Sequence, residues 1–283
     1  NFEKTTNIKK SNTQKNDKSD EKTEFTIISV GDIMLGSNYP FEYLLPENDA
    51  NILENTQNIL KNADITIGNL EGTLFDTGRT PKSCNNPNVC YVFRMPSRYG
   101  TYLKQAGFDY LSIANNHSND FGEIGIKETM KNLDNLGIKY SGIKDIAEST
   151  ILEKNGKKFG FISFSPNSAT VKLNDYNYAK KLISELKSKV DIVIVMFHGG
   201  AEGANAEHIT KRHEIFHGED RGNVYEFAHF AIDNGADIIF GQGPHVTRAV
   251  ELYKNKFISY SGGNFATFGK INISGSMGIA PIF

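Results

Sequence analysis

From residue 25 onward, short β-branched apolar runs alternate with stretches whose apolar residues recur every three or four positions. FTIISV (25–30), DITIGN (64–69), DYLSIAN (109–115), KFGFISF (158–164), DIVIVMF (191–197) and DIIFG (237–241) have the length and composition of strands. Between them, SRYGTYLKQAG, GEIGIKETMKNLDNLG and VYEFAHFAIDNG carry helical spacing and stop at glycine. The order is βαβα, which predicts an α/β fold. Runs such as IVIVMF are apolar at consecutive positions, so the sheet they enter needs covering layers on both faces. Near the C-terminus, RAVELY, NKFISYSGGNF and the final GIAPIF read as a strand meander. Phe283 falls inside the last of these runs, so the natural chain is expected to continue. No internal repeat is visible.

At 283 residues and 39% hydrophobic content, the chain is long enough for a substantial core. Its organisation is expected to be a disordered tether over 1–24 followed by one domain over 25–283. The first segment, NFEKTTNIKKSNTQKNDKSDEKTE, has only Phe2 and Ile8 as sizeable apolar side chains and cannot offset its ordering entropy by burial. It reads as the remainder after removal of a signal peptide or membrane anchor, and a chain simply trimmed at its start looks the same. The expected location is extracytoplasmic, either secreted or tethered to a membrane through this segment. A formal charge of −2 gives no global attraction to nucleic acid or anionic membranes. No apolar run is long enough to span a bilayer. Cys84 and Cys90 flank five residues of a Pro- and Asn-rich loop. A short disulfide there suits an oxidising compartment, and the alternative is a pair of free thiols.

The ends of the strands carry the chemistry. The first leaves through VGD (Asp32), the second through GNLEG (Asn69, Glu71) and the third through ANNH (Asn116, His117). Later strands leave through FHGG (His198) and GQGPH (His245). All lie at carboxyl ends, the edge of an α/β sheet where ligands bind, so residues distant in sequence can converge there. Carboxylate, amide oxygen and imidazole are ligands for a hard to borderline divalent cation. Taken singly, each could instead cap a turn or satisfy loop backbone groups. Their recurrence at corresponding strand ends favours one shared site.

GDIMLGSN, GNLEGTLFDTG, FRMP, AGFDYLSIANNHSNDFGEIG, FHGGAEG, GADIIFGQGPHV and YSGGNFATFG, in this order and spacing, resemble the CapA/PgsA family of poly-γ-glutamate capsule biosynthesis proteins. The family is similar in fold to the calcineurin-like metallophosphoesterases. The resemblance therefore implies a four-layer α/β/β/α sandwich of metallophosphoesterase type, with metal ligands at strand ends. It implies a divalent ion such as Mn, Mg, Zn or Fe held by Asp32, Glu71, Asn116, His198 and His245, with Asn69 the alternative to Glu71. His117 falls at the position of a general acid or transition-state stabiliser. Asn69, Arg94, Arg98, Glu202, Arg221, Gln242 and Asn264 are expected to contact substrate. Phosphoesterases usually carry D-x-H at the first motif, where this chain reads Asp32-Ile33-Met34, and Gln242 and Gly243 stand where a further histidine is usual. These departures lead to the expectation of one ion rather than two.

Two further stretches bear on partners. Residues 77–108 contain Arg79, Lys82, Arg94, Arg98 and Lys104 but no Asp or Glu, with tyrosines and phenylalanine interleaved. Arginines there could read the carboxylates of an anionic polymer such as poly-γ-glutamate, or simply form a solvated face. Nucleic acid is not expected as a partner; membrane-bound capsule synthesis proteins are. Residues 198–222 form a long polar loop with His208, His213 and His217, of which His208 and His213 read as solvated. The functional expectation is assembly or export of the polymer with a metal-dependent, hydrolase-like site. The alternatives are a phosphoesterase unrelated to capsule and a non-catalytic polymer-binding protein.

Overall fold

The structure is a computed structural model that describes residues 24–84 and 90–269. The expected tether, Glu24 aside, and the expected final strand GIAPIF lie outside the described residues. Along the chain come β1 (Ile27–Met34), α1 (Gln57–Leu60), β2 (Ile65–Leu70), the short β3 (Thr73–Leu74) and β4 (Arg94–Met95), α2 (Gly100–Gln105), β5 (Tyr110–Ser112), α3 (Gly122–Leu136) and β6 (Lys139–Ser141). The second half has β7 (Ser149–Lys154), β8 (Lys157–Phe164), α4 (Tyr176–Lys187), β9 (Ile192–His198), β10 (Ile215–Phe216) and β11 (Glu219–Asp220). It ends with α5 (Val224–Asp233), β12 (Ile238–Gln242), β13 (Val250–Tyr253), β14 (Lys256–Ser259) and β15 (Asn264–Thr267).

One sheet has the order β15-β1-β2-β5-β6 and is parallel throughout. The other has the order β13-β14-β12-β9-β8-β7, with a parallel centre and antiparallel edges. Side chains alternate across each strand. On β9, Ile194 and Met196 join Ile65, Ile67, Tyr110, Phe159, Phe161 and Phe240 between the sheets. Val193, Val195 and Phe197 point the other way, into a core with Ile183, Leu186, Phe227 and Ala231 of α4 and α5. The outer face of the first sheet packs Val30, Ile33, Leu70 and Leu111 against Leu60, Leu103 and Leu133 of α1, α2 and α3. The layers are thus α/β/β/α, the sandwich that the resemblance implied.

Helix α3 closes at Gly137 with φ 64°, a left-handed C-terminus that glycine adopts without a Cβ penalty. Helix α4 is absent from the sequence reading, although Ala179, Ile183 and Leu186 are buried at spacings of four and three, and the Asp175 side chain caps it by accepting from Tyr178 N. The C-terminal meander is corrected. Strands β13 and β14 do form a hairpin, but β15 crosses to the other sheet and runs parallel to β1. That crossing closes the edge on which the site is built.

Candidate metal centre

Strand β1 places Asp32 between its two register partners, Asn69 on β2 and Asn264 on β15. Asn69 Nδ2 donates to Asp32 Oδ1 at 2.8 Å, and Asp32 N donates to Gly263 O at 2.8 Å. That backbone approach needs glycine before Asp32, because a Cβ at Gly31 would lie 2.0 Å from Gly263 O. Strand β2 runs on into Glu71, whose N–H donates to Ile33 O at 2.9 Å. From the other sheet, His198 ends β9 in register with Gln242 at the end of β12. His245 follows in a turn with φ 58°.

Asp32, Glu71, His198 and His245 each offer a ligand atom, and these atoms lie within 4.8 Å of one another. Glu71 Oε1 is 3.5 Å from His198 Nε2, 3.5 Å from His245 Nε2 and 4.0 Å from His117 Nε2. His245 Nδ1 is 3.1 Å from Asp32 Oδ2 and 3.0 Å from Asn264 Oδ1. Asp32, Glu71 and His198 are no more than 1% exposed. Yet Asp32 Oδ2, both Glu71 oxygens and both His198 ring nitrogens have no hydrogen-bond partner. Buried polar atoms are ordinarily paired, and leaving them unpaired is costly. Orphaned oxygens of two carboxylates, the orphaned His198 imidazole and the His245 ring, engaged through Nδ1, meet around one point and fit a divalent cation.

Electrostatics agree with that fit. Burial pushes the Glu71 carboxyl up, but the imidazoles of His245, His198 and His117 outweigh it and hold the group well below the usual carboxylate range. Burial pushes His245 down, and the carboxylates of Glu71, Asp32 and Glu202 overcome this and hold it well above an ordinary imidazole. The cluster therefore concentrates negative charge that something positive must balance. A bound cation would take over that role from the imidazolium, because a metal needs its histidine neutral.

Beside this cluster, His117 is 6% exposed and its ring packs on Phe93 at 4.2 Å. Its Nδ1 lies 2.8 Å from Asp120 Oδ2. A carboxylate only accepts, so Nδ1 carries the proton and Nε2 is left toward Glu71. Asp120 is held in turn by the Phe93 N–H at 2.7 Å and by Lys82 Nζ at 2.6 Å.

A family model described as "Bacterial capsule synthesis protein PGA_cap" matches residues 26–268. The chain belongs to this family. It is 30% identical over 252 residues to the PGA biosynthesis protein CapA of Bacillus subtilis (strain 168), an alignment covering 83% of this chain and 61% of that protein. It is 28% identical over 268 residues to the capsule biosynthesis protein CapA of Bacillus anthracis, covering 87% and 60%. The chain thus spans about 60% of the length of these curated relatives. Among solved structures, a hypothetical protein from Thermus thermophilus shares the fold, with TM-score 0.51, 18% identity, and coverage of 84% of this chain and 75% of that one.

In this member of the PGA_cap family, the remaining predicted residues are placed as follows. Asn69 serves Asp32 as a hydrogen-bond donor, and Glu71 supplies the free carboxylate. Asn116 Oδ1 is buried without a partner, while its carbonyl accepts from Lys82 Nζ at 3.3 Å. Asn115, a polar residue after the strand to which sequence reasoning gave no role in the site, occupies the network instead. Its Nδ2 donates to Asn69 Oδ1 at 3.2 Å and Leu70 O at 2.9 Å, and its Oδ1 accepts from His117 N at 3.0 Å. Nothing in the spacing of two adjacent amides after a strand ranks one above the other.

Gln242 Nε2 donates to Val30 O at 3.0 Å and so ties the two sheets together, with Oε1 buried and unpartnered. Glu202 borders the centre. Its Oε2 is 3.9 Å from His245 Nε2 and its Oε1 is 3.2 Å from Nη1 of the buried Arg221. The loop carrying both is pinned by the buried Arg248–Glu214 pair at 2.8 Å. His213 pairs with Asp220 at the surface.

Arg94 and Arg98 are engaged elsewhere. Arg94 Nε donates to Asn38 Oδ1 at 2.6 Å, and its guanidinium lies 5.2 to 5.6 Å from the rings of Phe121, Tyr39 and Phe75. Arg98 makes a two-pronged pair with Asp49 at 3.0 and 2.7 Å. Cys84 and Cys90 form a disulfide with Cα atoms 5.6 Å apart, which closes the alternative of free thiols.

Proposed function

We propose that the protein takes part in the assembly or export of poly-γ-glutamate outside the cytoplasm, through metal-dependent, hydrolase-like chemistry at the Asp32–Glu71–His198–His245 cluster. The observation that carries this reading is the convergence of four ligand atoms within 4.8 Å, with Asp32 Oδ2, both Glu71 oxygens and both His198 ring nitrogens buried and lacking a hydrogen-bond partner. Membership of the PGA_cap family supports the capsule setting. Asp32, Glu71, His198 and His245 would hold the ion, with Asn116 Oδ1 a further oxygen. A divalent cation so held polarises a substrate oxygen and lowers the pKa of a water in contact with it.

The chain's own residues do the rest. Asp120 fixes the His117 ring and its tautomer, which leaves Nε2 to hold or deliver a proton on the side of the cluster. Asn115 sets the backbone at His117 and, through Asn69, the orientation of Asp32. Gln242 where an imidazole is usual, and Met34 buried in the core, support one ion rather than two. The Cys84–Cys90 disulfide supports an oxidising, extracytoplasmic location, and the capsule setting makes membrane-bound capsule synthesis proteins the proposed partners.

The test is metal analysis of the purified protein, followed by assays of polymer cleavage and phosphoester hydrolysis with each divalent ion. About one ion per chain and hydrolysis that depends on it are expected. No bound metal and no activity with any ion would leave the non-catalytic, polymer-binding alternative.

A further inference from the structure

Next to the metal centre lies a cleft of about 470 Å³. One side is formed by Lys82 and by Asn116 and Asn119, which follow β5; the other by Asn167, which follows β8, and by Glu219 and Asp220 of the β10–β11 hairpin. It abuts the His117–Asp120 pair, since Asn116 directly precedes His117 and Lys82 Nζ lies 2.6 Å from Asp120 Oδ1.

The charges in these walls already have partners. Lys82 is paired with Asp120, Glu219 Oε2 lies 3.0 Å from Arg221 Nε, and Asp220 Oδ2 lies 2.9 Å from His213 Nδ1. The amides do not. The Asn116 Nδ2 makes no hydrogen bond among the described residues, while its Oδ1 is the oxygen left for the ion. The Asn119 side chain makes no hydrogen bond among the described residues, and Asn167 uses only its Oδ1, which accepts from Ser165 Oγ at 2.5 Å. A side-chain amide offers both donors and an acceptor, the complement of a main-chain amide. Within the walls one cation faces two carboxylates, so the lining itself adds no net attraction for a polyanion.

We infer that this cleft holds the main-chain amides of an amide-linked polymer, and so recognises the backbone of the chain rather than its carboxylates. The inference rests on the reading of the protein as a handler of poly-γ-glutamate and names what in that polymer the site reads. A γ-linked chain repeats one amide per residue along its backbone and carries each carboxylate on a branch. With the backbone amides against Asn116, Asn119 and Asn167, the carboxylates stay at the solvated rim.

The experiment is binding of poly-γ-glutamate to the full chain at low and high salt, with two competitors. Poly-γ-glutamine has the same backbone without the charge, and polyacrylate has carboxylates without amides. Displacement by poly-γ-glutamine and not by polyacrylate is expected. Asn119→Ala and Asn167→Ala should each weaken binding about 3- to 10-fold, the loss of one net hydrogen bond. Asn119→Gln should keep most of the affinity. Asn119 bonds to nothing through its side chain among the described residues, so its variants retain the fold even if Asn167→Ala disturbs the Ser165 turn. Equal displacement by polyacrylate with Asn119→Ala unchanged would overturn this inference and leave the polymer-handling reading standing. Failure of both γ-linked polymers to bind would overturn the two together.

Discussion

Asp120 Oδ2 stands 2.8 Å from His117 Nδ1, and the same carboxylate takes the Phe93 N–H and the Lys82 ammonium. The ring is held from one side only, with Nε2 4.0 Å from Glu71 Oε1. His117→Ala is therefore expected to leave bound metal unchanged and to lower metal-dependent hydrolysis about 10²- to 10⁴-fold, the usual worth of a general acid–base group. Asp120→Asn, which leaves the ring in place but frees its tautomer, should show the same pattern with a smaller loss. Metal content and rate measured on the same samples decide the matter. A loss of metal in His117→Ala would make the imidazole a ligand.

Asp32→Ala and His198→Ala should each remove most of the bound metal. Each deletes one of four ligands converging within 4.8 Å and leaves the others too few to close the coordination sphere. Gln242→His restores an imidazole next to His198 and should raise the metal stoichiometry above that of the parent. Elemental analysis after dialysis reads both. An unchanged metal content in Asp32→Ala would remove the cluster from consideration.

Arg94 is clasped by three aromatic rings and by Asn38 and Gly78. Arg94→Ala should cost about 1–3 kcal/mol in urea unfolding, from lost cation–π contact and hydrogen bonds. Charge reversal at Arg94 and Arg98 tests the polyanion expectation separately. Weaker poly-γ-glutamate binding at low salt would support it, where attraction is least screened. Unchanged binding would assign these arginines to the fold alone.

Asp237 joins three elements through Lys187 on α4, Val193 N on β9 and Lys256 on β14. Burial pushes its carboxyl up, but both lysines and the backbone N–H outweigh this and lower its pKa below 3.8. A depressed folded pKa means stability that is present above the unfolded value and lost as pH falls through the folded one. Asp237→Asn should be less stable than the parent at neutral pH by about 1–3 kcal/mol, as for hydrogen bonds to charged groups. The gap should close as pH falls through the lowered folded pKa of Asp237. A pH-independent gap in urea titrations would mean that packing, not charge, is lost.

By itself the sequence determined the elements whose signals are local. Apolar runs such as IVIVMF specify buried strands because each residue must shed water on whichever face it lies, and Gly137 ends α3 because only a residue free of a Cβ turns left-handed at no cost. The strand-end motifs likewise named Asp32, Glu71, His198 and His245, since polar residues terminating apolar runs are visible without coordinates. Tertiary structure alone decided what those residues meet. The crossing of β15 to the first sheet, the choice of Asn115 over Asn116 as the link to Asn69, and the engagement of Arg94 by three rings all depend on groups far apart in the chain. Neighbouring amides, or neighbouring cations, are chemically alike until packing gives one of them a partner and leaves the other without.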